Sequence, residues 1–151
     1  MSGLFYTEVN CQQRNHHGER ICGDVFISKR IKEEGRTIVV LSDGMGHGVK
    51  ANILATLTST MAVNFTREHK DFQTIAEIIM NTLPVCSVRK ISYSTFTIVD
   101  VEDTGEVSIL EYDNPQCMVL REGKYYDPGW QKIVLESEQN KGKELQAVKF
   151  K

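Results

Sequence analysis

Two aspartates in this chain each follow or open an apolar, strand-like segment beside glycine. Asp24 stands in Cys22-Gly23-Asp24-Val25-Phe26-Ile27, and Asp43 ends the run Thr37-Ile38-Val39-Val40-Leu41-Ser42. Three of the next five residues are glycines (Gly44, Gly46, Gly48). Carboxylates are the oxygen ligands that hard cations prefer, and glycine allows the backbone to come close to a ligand. This pattern indicates a Mg²⁺ or Mn²⁺ site formed by Asp24, Asp43 and the carbonyl of Gly44.

An alternative without a metal is equally consistent with the spacing. Asp24 can be a turn residue and Asp43 a helix N-cap, because Asp favours both positions. The glycines can form a flexible strand-to-helix turn. What favours the metal is the predicted antiparallel pairing of the two strands through a hairpin at Gly35. It places two carboxylates at one end of a sheet, where they repel each other unless a cation lies between them.

Other residues that could do chemistry have simpler explanations. His16, His17 and His47 are better read as loop histidines, since hard oxygen sites do not need imidazole. Cys22 is better explained as a buried strand thiol than as a nucleophile, and Ser42 as a packed hydroxyl, because no G-x-S-x-G motif surrounds it. Turn chemistry and hairpin packing account for the remaining candidates, Asn114-Pro115 and Tyr125-Tyr126.

The elements that must position these residues alternate between strand-rich and helical regions. Apolar periodicity predicts helices over 49–68 and 72–84. Strands are predicted, in chain order, over 5–14, 22–31, 36–42, 93–101, 106–112, 117–120, 133–135 and 145–150. This order predicts one domain over residues 1–151 of α/β or α+β class, a sandwich with two antiparallel sheets flanked by a helical hairpin.

Composition excludes several classes of protein. The chain has 151 residues, of which 40% are hydrophobic and 25% charged, with a net charge of −2. We expect no nucleic-acid partner, because no basic cluster is present. We also expect a cytoplasmic location, because no apolar stretch reaches membrane-spanning length and no secretory signal is visible. The four cysteines lack metal-site spacing and are expected to be reduced.

The two aspartate motifs resemble those of a known family. Ile21-Cys22-Gly23-Asp24-Val25-Phe26 and Ser42-Asp43-Gly44-Met45-Gly46-His47-Gly48-Val49-Lys50-Ala51 are similar to the N-terminal motifs of metal-dependent type 2C protein serine/threonine phosphatases, in the bacterial branch of the stage II sporulation and stress-response phosphatases. Tyr93–Asp100 and the turn at Asn114-Pro115 also fit this branch. The resemblance implies that Asp24 and Asp43 are catalytic metal ligands, with Asp43 bridging two Mn²⁺ or Mg²⁺ ions and the Gly44 carbonyl in the first shell. It also implies hydrolysis of phosphoserine or phosphothreonine in a regulatory phosphoprotein, such as an anti-sigma-factor antagonist.

The chain departs from the family pattern at its C-terminal end. The family has further metal-binding aspartates there, and Asp100, Asp103, Asp113 and Asp127 do not stand in a matching context. We therefore expect the N-terminal two-thirds of a catalytic domain. It should be inactive by itself, should hold one ion or none, and has an exposed sheet edge through which it can dimerise. Two alternatives remain open: a catalytically inactive pseudophosphatase or signalling scaffold of the same fold, and a metal-binding or dimerisation domain with a small-molecule ligand.

Overall fold

The computed structural model of the protein describes residues 4–14, 17–18, 23–44, 48–83 and 94–151. Two helices stand between two groups of strands. The helices are α1 (Gly48–Arg67) and α2 (Phe72–Thr82). The strands are β1 (Asp24–Ile31), β2 (Arg36–Asp43), β3 (Phe96–Glu102), β4 (Val107–Tyr112), β5 (Leu120–Arg121), β6 (Lys124–Tyr125), β7 (Gln131–Val134) and β8 (Glu144–Phe150).

Six of the strands form one antiparallel sheet in the order β1-β2-β3-β4-β8-β7, while β5 and β6 form a separate two-stranded hairpin. The predicted mixed α/β architecture, with antiparallel sheets and two helices, is confirmed. The second sheet is smaller than a sandwich layer, because only Leu120, Arg121, Lys124 and Tyr125 pair in it. The described residues therefore form one large sheet with helices on one face.

The core lies between the two helices and the face of the sheet that they cover. Alternate residues of the central strands point into the core (Ile38, Val40, Phe96, Ile98, Leu110). The apolar residues of α2 meet them there (Ile75, Ile79, Met80). Period-2 alternation in the strands and period-3.6 spacing in the helix produce this contact. Helix α2 starts at an Asp71 N-cap, whose carboxylate accepts the Thr74 N–H at 2.8 Å. Both predicted helices are present, and the predicted helix exit at Pro84 lies outside the described residues.

The opposite face of the sheet, which we call the open face, carries the other half of each strand. Leu41 on this face is 43% exposed, whereas its neighbour Val40 on the helical face is fully buried. The residues directly across from Leu41 on the flanking strands are Phe26 and Thr97. Because side chains alternate along a strand, Asp24 and Asp43 also belong to the open face.

The predicted first strand over residues 5–14 is wrong. Residues 4–14 form no strand, and their side chains are exposed or half-buried. Among the contacts of this segment with the sheet is the hydrogen bond from the Phe5 N–H to the Asp103 carbonyl at 2.7 Å. Its alternation is weak, because Thr7, Val9 and Cys11 offer too little apolar surface to bury a strand.

A short hairpin joins β1 and β2 and fixes their register. The loop consists of a 3₁₀ turn, Lys32–Glu34, followed by Gly35 in the left-handed conformation with φ +60°. The Gly35 N–H donates to the Lys32 carbonyl at 3.2 Å. From this loop the two strands pair without a bulge from Ile31↔Arg36 to Asp24↔Asp43. The two aspartates therefore lie at the end of the hairpin away from the loop, roughly 23 Å from it at 3.3 Å per residue.

Candidate metal centre

Asp24 and Asp43 are direct cross-strand partners at the open end of the β1–β2 hairpin. Directly opposite residues of an antiparallel pair point to the same face of the sheet, with their Cβ atoms about 5 Å apart. The structure thus brings together the two carboxylates that the sequence singled out. The ladder continues one step further, where the Gly44 N–H donates to the Gly23 carbonyl at 3.2 Å.

The two carboxyl groups interact strongly with each other. Partial burial of the Asp43 carboxyl, its hydrogen bond with Asp24 and the negative charge of Asp24 together raise the pKa of Asp43 to about 6. A hydrogen bond between two carboxyl groups needs a proton on one of them, since a carboxylate only accepts. The repulsion between the two carboxylates is therefore relieved either by a proton that the pair keeps or by a cation bound in place of that proton.

The donor chemistry of this pair fits a hard divalent cation. Two carboxylates at one sheet end supply anionic oxygen ligands, and the rest of a six-fold shell has to come from backbone oxygens and water. Among the described residues, no group of three or more His, Cys, Asp or Glu side chains is placed to hold a metal ion. The described part of the chain therefore brings together two carboxylates, with no third side chain of these types beside them.

Gly44 has a packing role that the sequence did not reveal. A Cβ atom at Gly44 would lie 1.9 Å from the carbonyl oxygen of Ala51 and 2.8 Å from its Cα. Ala51 is fully buried in the first turns of α1. Glycine is therefore required at position 44 because the backbone of α1 crosses directly against it. This contact fixes the start of the helix next to Asp43.

The backbone of Asp43 is held by Thr95, the residue directly before β3. The Thr95 N–H donates to the Asp43 carbonyl at 2.9 Å, and the Asp43 N–H donates to Thr95 Oγ1 at 3.2 Å. Ser42 is fully buried and its hydroxyl donates to the Thr95 carbonyl at 2.7 Å, as expected of a packed hydroxyl. Asn114 reaches the same region from the turn after β4.

Thr95 and Asn114 lie beside the site, and the sequence did not predict that they are hydrogen-bonded to each other. Asn114 stood out only as a turn residue, and Thr95 only as part of a strand-like segment. The signal that was available is their polarity beside the apolar run of β3, because a polar residue in a half-buried strand needs a partner. Their partner could not be read from spacing, since 19 residues separate them.

The remaining candidates lie elsewhere or outside the described residues. His16, Cys22, Gly46 and His47 fall in the ranges that the structure does not describe, as does Tyr93 at the predicted start of β3. Tyr126 packs on Phe150 with ring centroids 6.0 Å apart, and the Arg121 guanidinium lies 4.1 Å from the Tyr126 ring centroid. That arrangement agrees with hairpin packing.

Cys11 and Cys117 are free thiols. No helix in the described part of the chain combines the length and apolar character needed to cross a membrane.

Comparison with known proteins places this geometry in context. Residues 33–139 match the model of the stage II sporulation protein E (SpoIIE) family. Among curated protein sequences, none matches the chain significantly.

Several solved structures share the fold. RsbX in complex with magnesium is 19% identical, with a TM-score of 0.66 over 92% of this chain and 65% of RsbX. A chain described with the bacterial stressosome is 18% identical, with a TM-score of 0.68 over 91% of this chain and 66% of that chain. The PP2C phosphatase domain of SpoIIE from Bacillus subtilis, solved with a fragment of its regulatory domain, is 19% identical, with a TM-score of 0.55 over 64% of this chain and 28% of that one. The chain thus spans just under two thirds of RsbX and of the stressosome-associated chain.

Proposed function

Because the chain belongs to the stage II sporulation protein E family, we propose that it is part of a metal-dependent protein phosphatase that hydrolyses phosphoserine or phosphothreonine. The observation that carries the proposal is the direct pairing of Asp24 with Asp43 at the end of β1 and β2. The shared fold of RsbX and of the SpoIIE phosphatase domain supports it. Asp24 and Asp43 are the proposed metal ligands, together with the Gly44 carbonyl, and Mn²⁺ or Mg²⁺ are the proposed ions.

In this proposal the protein itself supplies position and charge. The hairpin register holds the two carboxylates on one face, so that both can bind the same ion. The contact of Gly44 with Ala51 and the hydrogen bonds from Thr95 limit the movement of Asp43. A divalent cation at such a site supplies an activated water nucleophile and positive charge for the phosphoryl oxygens. The half-exposed open face leaves room for a phosphoprotein segment to approach.

The substrate is proposed to be a regulatory phosphoprotein, such as an anti-sigma-factor antagonist, and the location to be the cytoplasm. The 151-residue chain alone should have little activity, because two carboxylates and a carbonyl are too few ligands for two ions that each prefer about six oxygens. The alternative function is a pseudophosphatase or scaffold that keeps the fold without the chemistry.

The test measures Mn²⁺ binding and Mn²⁺-dependent hydrolysis of a phosphoserine peptide by the protein. Asp24→Asn and Asp43→Asn should each abolish Mn²⁺ binding, read from the electron paramagnetic resonance signal of free Mn²⁺. Asp103→Asn is the control, because Asp103 pairs with Arg30 far from Asp43. Because the 151-residue chain alone should have little activity, hydrolysis is compared with that of the longer protein of which it is proposed to be part, and Mn²⁺ binding without hydrolysis by that longer protein would favour the scaffold. Binding that survives both Asp24→Asn and Asp43→Asn would overturn the proposed site.

A dimer through a sheet edge also remains a proposal. The edges of the sheet are β1 and β7. Exposed charged side chains at Lys29 and Arg30 make β1 a poor edge for pairing, because such charges are a common protection against edge-to-edge association. Strand β7 is short and carries the exposed Lys132, and both features protect an edge in the same way. Light scattering after gel filtration measures whether the protein dimerises despite these protections.

A further inference from the structure

Asn114 lies over the open face although it belongs to a turn. Strand β4 ends at Tyr112, and Asp113 follows in the left-handed conformation with φ +57°. The chain then folds back, and the Asn114 amide donates to Thr97 Oγ1 at 2.9 Å and to the Leu41 carbonyl at 3.4 Å. These partners belong to β3 and β2, and none belongs to the turn that contains Asn114. The side chain therefore connects strands of the sheet and does not cap its own turn.

The amide oxygen of Asn114 controls a hydroxyl group that contacts Asp43. Thr95 Oγ1 donates its proton to Asn114 Oδ1 and accepts the Asp43 N–H at 3.2 Å. A hydroxyl has one proton, so it can donate to only one acceptor at a time. The other acceptor within reach is the Asp43 carbonyl, at 3.5 Å. By accepting this proton, Asn114 turns the O–H bond away from Asp43, so that a lone pair of Oγ1 faces the Asp43 N–H.

This connection matters because Asp43 is held beside a group of like charge. Two adjacent carboxylates repel each other, and the end of a strand is where a chain can relax such repulsion by fraying. Asp43 is the last residue of β2. Thr95, directly before β3, makes hydrogen bonds with both the N–H and the carbonyl of Asp43, and Asn114 holds the Thr95 hydroxyl in the orientation that this requires.

We propose that Asn114 is a positioning residue, which acts through Thr95 to keep Asp43 opposite Asp24 and thereby sets the affinity of the site for a divalent cation. The inference rests on the proposed function, because it assumes that the aspartate pair binds the cation. It adds Thr95 and Asn114, two uncharged residues that would act on the site only through the position of Asp43. In this proposal Asn114 takes no direct part in the reaction.

The experiment compares Mn²⁺ affinities, read by electron paramagnetic resonance, across a set of variants of the full chain. Asn114→Ala and Thr95→Val should each weaken binding about tenfold, and the double variant should be no weaker than either single variant, because both act through one hydrogen-bonded unit. Thr95→Ser keeps the hydroxyl and should retain most of the affinity. A second readout needs no metal: exchange of the Asp43 amide proton, followed by nuclear magnetic resonance, should accelerate in Asn114→Ala and Thr95→Val.

Asn140→Ala is the matched control for loss of a hydrogen-bonded asparagine. Asn140 is 1% exposed, and its amide donates to the Met80 carbonyl at 3.0 Å and to Asn81 Oδ1 at 2.9 Å, on the helical side of the sheet. Its replacement should lower stability without changing Mn²⁺ affinity or Asp43 amide exchange. Equal weakening of binding in Asn140→Ala and Asn114→Ala would overturn the positioning role, as would unchanged affinity in Asn114→Ala. A wild-type chain whose Mn²⁺ binding does not depend on Asp43 would instead refute the proposed function, on which this role rests.

Discussion

Gly44 and Ala51 touch through their backbones: a methyl group added to Gly44 would lie 1.9 Å from the Ala51 carbonyl oxygen. The residue after β2, Gly44, and the first turn of α1, at Ala51, therefore make a backbone contact that only glycine allows at position 44. The contact stands next to Asp43, so the spacing between strand end and helix and the position of the carboxylate are determined together.

We expect Gly44→Ala to lower the free energy of unfolding by about 3 kcal/mol, because neither the strand backbone nor the helix backbone can move away without disrupting its own packing. Urea unfolding measures the change. The control is Gly123→Asn: Gly123 has φ +78° and open space around it, and Asn tolerates the left-handed conformation, so the free energy of unfolding should change by less than about 1 kcal/mol. Equal effects at the two positions would contradict the proposed packing role.

Asp43 should make the metal-free protein less stable as the pH rises. Its pKa is raised to about 6 in the folded state, so the unfolded chain loses this proton at lower pH than the folded protein does. The contribution of Asp43 is complete below about pH 4 and is lost as the pH rises through about 6. The difference in unfolding free energy between Asp43→Asn and wild type, measured in EDTA, should therefore increase in favour of the variant between pH 4 and pH 7.

Other carboxylates act in the opposite direction, which is why the difference between the two proteins is measured. Hydrogen bonds from Thr74 lower the pKa of Asp71, and a hydrogen bond from Arg30 lowers the pKa of Asp103. Both groups are present in wild type and variant, so their effects cancel. Added Mn²⁺ should reverse the order of stability at pH 7, because it binds only the protein that keeps Asp43. A pH-independent difference would contradict the interaction between Asp24 and Asp43.

Two arginine–aspartate pairs of similar geometry should differ greatly in their effect on stability. In both pairs Nη2 lies 2.6 Å from Oδ2, but the Arg36 side chain is 4% exposed whereas the Arg30 side chain is 42% exposed. Arg36 also donates to the Thr66 carbonyl at 2.8 Å, which links β2 to the end of α1.

We expect Arg36→Ala to cost about 3–5 kcal/mol, because it leaves the carboxylate of Asp100 partly buried without a partner. Arg30→Ala should cost much less than Arg36→Ala, because water replaces the guanidinium beside Asp103. Chemical denaturation of both variants measures the difference. Similar costs would show that burial is not what separates the two pairs.

The two described cysteines should differ in reactivity. Cys11 is exposed, whereas burial, together with a hydrogen bond to Glu111 and the charge of Glu111, raises the pKa of Cys117 to about 12. Since the thiolate is the reactive form, iodoacetamide at pH 8 should modify Cys11 well before Cys117. Peptide mapping by mass spectrometry measures both sites. Glu111→Gln removes the negative charge and should make Cys117 react faster, while Cys11 remains unchanged.

Sequence patterns predicted the helices and most strands because burial on one face imposes a regular period. Helix α1 was expected over 49–68 and spans Gly48–Arg67, and β2 was expected over 36–42 and spans Arg36–Asp43. The pairing of Asp24 with Asp43 also followed from local features, since a short hairpin fixes its own register. What failed was residues 5–14, where weak alternation has no burial behind it. The Asn114–Thr95–Asp43 connection was also missed, because it depends on how separate turns and strands meet in space.

The hairpin loop at Lys32–Gly35 determines which face of the sheet carries the aspartate pair. With the present loop, each residue of β1 meets one residue of β2 from Ile31↔Arg36 through Asp24↔Asp43. If removal of one loop residue shifted the register by one, Gly23 would lie opposite Asp43 and Asp24 opposite Ser42, so that the two aspartates would lie on different faces of the sheet. A change in length about 23 Å away would thus dismantle the site without altering any residue in it. Among related sequences, insertions and deletions should therefore be rarer in this loop than its exposed position alone would suggest.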